Sequence, residues 1–437
     1  MSTRLRKSLH AGVRSAMGML PEATRHAMFR RMVDCDPTPD NRLELRIVDS
    51  RQDLEACFRL LHDAYVASGF MKPHPSGLRV TPYHALPTTT TIAAFWDGEA
   101  VGTMSMIREG VFGFPLQSVF DLTAVRALPG RIAEISALAV HPKFRASGGK
   151  ILFPLMKFMY EYCSAYFDTR HLVIAVNPNK IELYESLLFF RRLQAATVEN
   201  YDFANGAPAV GATLDLHDAP EIFRNAYAGR PGRKDLHHYF IEQRLPNLKL
   251  PERRYFTTND PVMTPALLDY FFTQRTDVFA QLDTRRLGLL HSIYDSPEYA
   301  AVLPPLPYGH QAGSASMRRH PRYSIKCPAV LTLEDRPQAL EVVELSQQGF
   351  QAHGANDLPL GARGWIKVQL GEGVESTVLA EVVRRVPTSV GHYHGFRVEA
   401  PDPVWLRCVR LLETGTTYAD LTPEPPASAE RPSRRAA

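Results

Sequence analysis

Apolar and polar positions change period several times along this chain, and each change marks an element. Leu43 to Val48 alternates like a strand, and Leu54, Cys57, Leu60 and Leu61 then recur at helical spacing over Asp53 to Tyr65, with Asp49 or Ser50 as the cap. A Pro- and Thr-rich loop runs from Lys72 to Thr91. Ile92 to Trp96 and Val101 to Ile107 flank Asp97-Gly98, a pair that supplies the positive-φ positions of a tight hairpin turn. Ala133 to Val140 predicts a strand, His141 to Lys150 a basic glycine loop, and the apolar run Ile151 to Phe158 a helix. His171 to Val176 predicts another strand, Asn177-Pro178-Asn179 ends it, and Lys180 to Phe190 restarts a helix. Short strands around Asn205-Gly206 and Gly211 to Leu216 close the unit. This order predicts a mixed sheet with helices on both faces.

From about residue 219 to 300 the pattern is helical and aromatic, with Phe223, Tyr227, Tyr239, Phe240, Leu267, Tyr270, Phe271, Phe279 and Leu289 and no strand signal. It reads as a helical extension packed on the first domain. Pro304 to Ser316 has a linker composition. Beyond it, alternating segments at Ala329–Leu333, Leu340–Leu345, Gly349–His353, Arg363–Leu370, Ser376–Val386 and Tyr393–Val398 predict a small antiparallel barrel or sandwich. A helix from Val404 to Glu413 is expected to pack against it, and the Pro-, Ala-, Ser- and Arg-rich tail from Thr422 is expected to be disordered.

At the N-terminus, Leu5, Leu9, Val13 and Leu20 recur at helical spacing among Arg4, Arg6, Lys7, Arg14, Arg25, Arg30 and Arg31. That is the pattern of an interfacial amphipathic helix, a candidate for contact with anionic membrane, or of a helix packed on its own domain with a solvated basic face. The domain limits that follow are 1–42 for this segment, 43–217 and 218–302 for the first domain and its extension, 303–316 for the linker, 317–413 for the barrel and 422–437 for the tail.

Composition narrows the possibilities. A length of 437 residues with 45% hydrophobic content supports two or three domains, and a net charge of +4 is too small to argue for nucleic-acid binding. The 5 cysteines are scattered and form no C-x-x-C, so the pattern suggests neither a disulfide framework nor a zinc knuckle. With no apolar run of the roughly 18 to 20 residues that a spanning helix needs, the expected compartment is the reducing cytoplasm, with peripheral attachment to the inner membrane as an addition.

The basic glycine loop carries the chemistry. Unpaired N–H groups at a helix N-terminus favour a phosphate-bearing ligand. Neither G-x-x-x-x-G-K-[ST] nor G-x-G-x-x-G fits here, since Phe144 stands where the first frame requires glycine and Ile151 follows Lys150. If the phosphate belongs to a thioester donor, acyl transfer to an amine needs a base for the ammonium proton, donors for the oxyanion and an acid for the thiolate. Glu134 on the preceding strand is the candidate base, and Tyr184 on the second helix the candidate acid. Backbone N–H groups near Leu138 to Val140 would serve the oxyanion if that strand splays from its neighbour. Direct attack by the amine requires no cysteine nucleophile. His237-His238 and His392-Tyr393-His394 lack an evident third ligand, so no metal is expected.

The loop fits [RQ]-x-x-G-x-[GA], with Arg145 first, Gly148 fourth and Lys150 in place of the final small residue. This resembles the pyrophosphate loop of the GCN5-related N-acetyltransferase (GNAT) superfamily. Together with Leu60-Leu61-His62-Asp63-Ala64-Tyr65, Ala133 to Val140, Pro142, and Val176-Asn177-Pro178 running to Tyr184 and Leu188-Phe189, it resembles more narrowly the N-acyl amino acid synthase (FeeM-like) group, relatives of the acyl-homoserine lactone synthases. The resemblance covers about residues 43 to 217. It implies an α/β (α+β) GNAT-like acyltransferase domain that moves a long-chain acyl group from acyl carrier protein or coenzyme A to the amine of an amino acid or related small amine. The donor phosphate would lie against Arg145, Ser147, Gly148, Gly149 and Lys150. Lys143, Arg145, Lys150 and Lys157 would face an acidic carrier protein, and a bulky Lys150 suits the single phosphate of that donor better than the paired phosphates of coenzyme A.

After the linker, Arg318 and Arg322 stand four apart before the barrel, where two guanidinium groups can close over a planar anionic ligand. Glu344-Leu345-Ser346-Gln347-Gln348-Gly349 follows. The pair resembles the PilZ family of bacterial cyclic di-GMP receptors, with Arg318, Arg322, Ser346 and Gly349 matching R-x-x-x-R and [DN]-x-S-x-x-G, and Glu344 departing by one methylene. The resemblance implies a small all-β PilZ barrel over about residues 317 to 412 that binds cyclic di-GMP and adjusts the activity or location of the acyltransferase. Lys150 and Glu344 leave a second reading open, a non-catalytic cyclic di-GMP effector that uses a degenerate acyltransferase fold to bind a partner.

Overall fold

The computed structural model describes residues 20–413 apart from 146, 168, 252, 254, 259, 261–262, 295–296, 307–321, 335 and 389–390. The predicted amphipathic run over residues 5–13, most of the linker and the tail lie outside the described residues.

Two compact units form, one from Met1–Leu250 with Val262–Gly313, the other from Pro251–Pro261 with Ser314–Ala437. In the first, α1 (Glu22–Arg31) precedes β1 (Leu43–Ile47), α2 (Arg51–Ser68), β2 (Thr89–Trp96), β3 (Glu99–Arg108), β4 (Arg131–Val140), α3 (Leu152–Tyr166), β5 (Thr169–Val176), α4 (Pro178–Leu188), β6 (Arg191–Arg192), β7 (Val198–Tyr201) and β8 (Ala207–Asp215). Ser50 caps α2 by accepting from the Asp53 N–H, and Gly69 ends it in the left-handed conformation. Asp97 and Gly98 take φ of 51° and 83°, the turn geometry their types predict.

With a short strand β9 (Leu248–Lys249) at its edge, the sheet runs β6-β8-β5-β4-β3-β2-β1-β9, with β7 against β8; the pair β4–β5 is parallel, and β1 pairs antiparallel with β2. One core cluster packs α3 with alternate residues of β1, β2, β3 and β5, and a second packs α2 with the opposite set. Both faces are therefore covered, as the element order predicts. The extension contributes α5 (Ala219–Tyr227) and α6 (Thr284–Ile293), and its aromatic residues divide between the cores, Phe223, Tyr227, Tyr239 and Phe240 joining the first and Phe271, Phe272 and Phe279 the second. The absence of a strand signal there is corrected by β9 (Leu248–Lys249), which pairs parallel with β1. Two residues are too few for an alternation to register.

The predicted basic face of the N-terminal segment is partly engaged with its own domain. Arg25 forms an ion pair with Glu182 on α4, and Arg30 Nη1 donates to the Ser186 carbonyl at 3.4 Å. Among the described residues, no helix is long and apolar enough to cross a membrane.

The second unit is a closed antiparallel barrel of six strands, β10 (Tyr323–Leu333), β11 (Arg336–Ser346), β12 (Gly349–Gly354), β13 (Arg363–Gly371), β14 (Val374–Thr388) and β15 (Gly391–Ala400), ordered β10-β11-β12-β15-β14-β13. Helix α7 (Pro403–Glu413) buries Trp405, Cys408 and Val409 in the barrel core. Within this unit the 251–261 segment lies along the barrel: Thr257 bridges Ile325, the Phe256 N–H donates to Leu370 at 2.9 Å, and Tyr255 is buried in the core.

Candidate functional site

The fork between β4 and β5 organises the first unit. Their parallel pairing ends at Glu134 opposite Val173. Beyond it β5 keeps only β8, through Ile174 opposite Ala212 to Val176 opposite Val210, while β4 keeps only β3. Backbone groups of β4 past Glu134 on that side therefore have no strand partner, which is the splay the oxyanion argument required. The β3–β4 register also shifts between Ser105 opposite Ser136 and Thr103 opposite Ala139, and Ala137 within the shift has a φ of 53°. A residue with a Cβ seldom adopts that conformation, so the bulge holds local strain beside the fork.

Glu134 occupies the last paired position and is 1% exposed. Its Oε2 accepts the Leu116 N–H at 3.0 Å, and among the described residues Oε1 has no hydrogen-bond partner. Burial raises this carboxyl from an ordinary 4.5 to about 8, against the lowering effect of the Leu116 bond. Tyr65, Tyr83 and Tyr201 all feel its charge. Tyr184 on α4 packs edge-on against Phe190 with ring centroids 5.8 Å apart. Burial first, and then Tyr65, push its phenol up to about 12. Tyr65 thus links the two sequence-predicted groups.

The glycine loop sits at the N-terminus of α3. Gly148 and Gly149 take φ of 68° and 90°, and a Cβ at Gly149 would meet the Phe153 ring at 2.5 Å, so only glycine fits. Among the described residues the N–H groups of Gly148, Gly149 and Lys150 have no backbone acceptor, whereas the Ser147 N–H and Oγ both donate to Phe144. This leaves a short run of donors at a helix start. Arg145 is exposed and its Nε donates to the carbonyl of Val140, the last residue of β4, at 2.9 Å. Lys150 places its ammonium 4.2 Å from the Trp96 ring centre and 3.9 Å from Asp40 Oδ2.

Lys157 departs from expectation. It is 1% exposed, paired with Glu161 at 2.7 Å, and donates to the Phe240 carbonyl at 3.2 Å. It lies on the inward face of α3 and presents no charge to a carrier protein. Its place in an apolar run at helical spacing was the available signal.

Sequence reasoning missed Arg79 and Tyr201. Arg79 comes from the loop before β2, where its guanidinium carbon lies 4.2 Å from the Tyr65 ring centre and 5.1 Å from that of Phe203. Tyr201 ends β7, is 4% exposed, and among the described residues its hydroxyl has no hydrogen-bond partner. Nothing in hydropathy separates either from an ordinary loop arginine and strand tyrosine.

In the barrel, Arg318 lies outside the described residues. Arg322 Nη1 donates to Glu344 Oε2 at 2.8 Å. Ser346 Oγ donates to the Gly349 carbonyl at 3.0 Å, and the Trp405 indole donates to the Ser346 carbonyl at 3.0 Å. A Cβ at Gly349 would fall 2.6 Å from the Phe396 carbonyl oxygen. Among the described residues, no group of three or more His, Cys, Asp or Glu is arranged to hold a metal.

Residues 56–215 match the family described as N-acyl amino acid synthase FeeM, and residues 316–411 match the PilZ domain family. Among solved structures, the chain is similar to FeeM, an N-acyl amino acid synthase from uncultured soil microbes, at 23% identity over 41% of this chain and 94% of that one, with a TM-score of 0.36. It is also similar to BjaI, described as a coenzyme A-dependent acyl-homoserine lactone synthase, at 22% identity over 44% of this chain and 92% of that one, TM-score 0.33. The PilZ domain of YcgR from Escherichia coli, solved with cyclic di-GMP, matches at 21% identity over 23% of this chain and 94% of that one, TM-score 0.20. No curated protein matches the sequence.

Proposed function

From a chain that carries a FeeM-type acyltransferase domain followed by a PilZ domain, we infer an N-acyltransferase. It moves an acyl group from a phosphopantetheine thioester, on acyl carrier protein or coenzyme A, to the amine of an amino acid or related small amine. The observation that carries this reading is Glu134, a buried carboxyl with one free oxygen at the point where β4 leaves β5. The donor phosphate lies against the N–H groups of Gly148 to Lys150, which have no backbone acceptor among the described residues, with Arg145 beside them. This runs the pantetheine arm along the fork. Glu134 takes a proton from the acceptor ammonium. The amine then attacks the thioester carbonyl: the C–N bond forms, the C–S bond breaks, backbone N–H groups of the splayed β4 hold the oxyanion, the Tyr184 hydroxyl protonates the leaving thiolate, and the proton that the new amide nitrogen sheds restores the phenol.

Expression of the full chain in a bacterium, with lipids profiled by mass spectrometry, tests this. New acylated amines are expected from the wild type and are lost with Glu134→Gln and Arg145→Ala. An unchanged profile for all three proteins favours the non-catalytic effector reading.

The PilZ domain binds cyclic di-GMP through Arg318, Arg322, Ser346 and Gly349 and regulates the transfer. Here the Arg322–Glu344 pair competes with the ligand for one guanidinium. An exposed pair contributes up to about 1 kcal/mol, roughly a fivefold change in binding. Calorimetry on the full chain is expected to show Glu344→Gln binding cyclic di-GMP about three- to fivefold more tightly than wild type. Weaker binding would mean that Glu344 itself contacts the ligand.

A further inference from the structure

Charge is unevenly placed along this chain. Residues 1–35 hold 7 Lys and Arg against 2 Asp and Glu, a net +5, whereas the whole chain carries only +4. Helix α1 lies in this stretch, and its sides are the reverse of those a helix packed on a globular surface usually shows. Basic side chains turn inward: Arg25 pairs with Glu182, and Arg30 donates to the Ser186 carbonyl with its guanidinium carbon 5.8 Å from the Phe189 ring centre. Apolar ones turn outward. Leu20, Ala23, Ala27, Met28 and Met32 are exposed, Met32 by 65%, and over residues 20–32 Glu22 and Arg31 are the charged residues exposed beside them. Cations also cap the end of the helix. Lys234 Nζ donates to the Arg31 carbonyl, at the peptide preceding Met32, at 2.5 Å, and Arg230 Nη1 to the Arg30 carbonyl at 3.3 Å.

We propose that the outward side of α1, with the basic run that precedes it in sequence, docks on the surface of an anionic lipid bilayer. Exposed apolar side chains gain by entering the headgroup region, and each nearby cation gains from the negative surface. Charge decides the partner. A second copy of the chain would bring a like-charged segment to the same face, which is repulsive, whereas an anionic bilayer is complementary to the apolar side and to the cations around it. The inference stands apart from the transfer reading, since it involves neither donor nor acceptor.

Cosedimentation of the full-length protein with vesicles tests this. Binding is expected where roughly one lipid in three is phosphatidylglycerol, and is expected to fall by about tenfold or more on pure phosphatidylcholine or in about 1 M salt, where the screening length shrinks to about 3 Å. Arg4→Gln, Arg6→Gln and Lys7→Gln together should weaken it about 100-fold, at about fivefold per cation. Met28→Asp with Met32→Asp alters two exposed side chains, so the unfolding midpoint should hold while binding weakens by about tenfold or more. Leu128→Asp, at an apolar side chain 52% exposed elsewhere in the same unit, should leave binding unchanged. Equal binding to the two vesicle types, or none to either, overturns the proposal. Wild-type binding by the Met28 and Met32 double variant also overturns it, because charge alone would then account for attachment. So does a dimer seen by light scattering without vesicles and abolished in that variant, which would make this side of α1 a contact between copies.

Discussion

Replacing Glu134 by Gln is expected to lower kcat by about 10²- to 10⁴-fold, the usual contribution of a positioned base, while leaving the donor KM unchanged. The substitution preserves volume and the capacity to accept the Leu116 N–H, so the loss reports on proton transfer rather than on packing. The pH dependence gives the sharper signature. Because the carboxyl is held up at about 8, kcat/KM in the wild type should rise about tenfold per pH unit below that value and level off above it. The Gln variant should lack this limb. Stability moves the other way. The folded protein keeps a proton that the unfolded chain releases near 4.5, so the contribution of the neutral carboxyl is full below 4.5 and is lost as pH rises through about 8. The slope is on the order of 1.4 kcal/mol per pH unit across that window. Denaturant unfolding should therefore show Glu134→Gln gaining on the wild type between pH 5 and pH 9. A variant that loses activity but shows no such relative gain would place the active base elsewhere.

The parts of this fold that were legible in the sequence are those whose chemistry is local. Ser50 and Asn177 cap helices through their own side chains, and Asp97-Gly98 turns a hairpin through its own backbone freedom. Glu134 was legible because a carboxylate on an otherwise apolar strand contradicts the hydropathy around it. The splay was not legible: the sequence offered it only as a condition, and it depends on where the β4–β5 pairing ends, at Glu134 opposite Val173. Arg79 and Tyr201 were not legible, because each has the identity expected for its own surroundings. What distinguishes them is long-range: β7 folds back over β8, and that brings Tyr201 to within reach of Arg79's field from more than 100 positions away. The same holds for Lys157, whose burial depends on Phe240 from the extension. The 251–261 segment is similar, as its pairing with β10 rests on strand edges that no sequence window contains.

Gly349→Ala is expected to destabilise the barrel by about 2 to 4 kcal/mol, and the reason separates a folding role from a ligand role. Gly349 opens β12 opposite Arg397 of β15, and a Cβ would press to 2.6 Å on the Phe396 carbonyl oxygen. That atom belongs to a strand paired on both sides and cannot withdraw as a side-chain tip would. Next to it the Phe350 and Phe396 rings stack with centroids 4.5 Å apart, and Trp405 packs at 5.7 Å on Phe350, so a displaced strand disturbs the base of the core. Overpacking of this kind costs about 1 to 3 kcal/mol, and losing the Ser346 bond to the Gly349 carbonyl adds about 1 kcal/mol. Ser346→Ala should accordingly cost about 1 kcal/mol, far less than Gly349→Ala. Denaturant unfolding of the full chain, followed through Trp405 and Trp365 in the barrel, measures both. If Gly349→Ala unfolds at the wild-type midpoint yet loses cyclic di-GMP, the glycine serves close approach of the ligand. If the midpoint falls as expected, loss of ligand in that variant is a consequence of the strand pairing, and Arg322 with Ser346 carries the recognition.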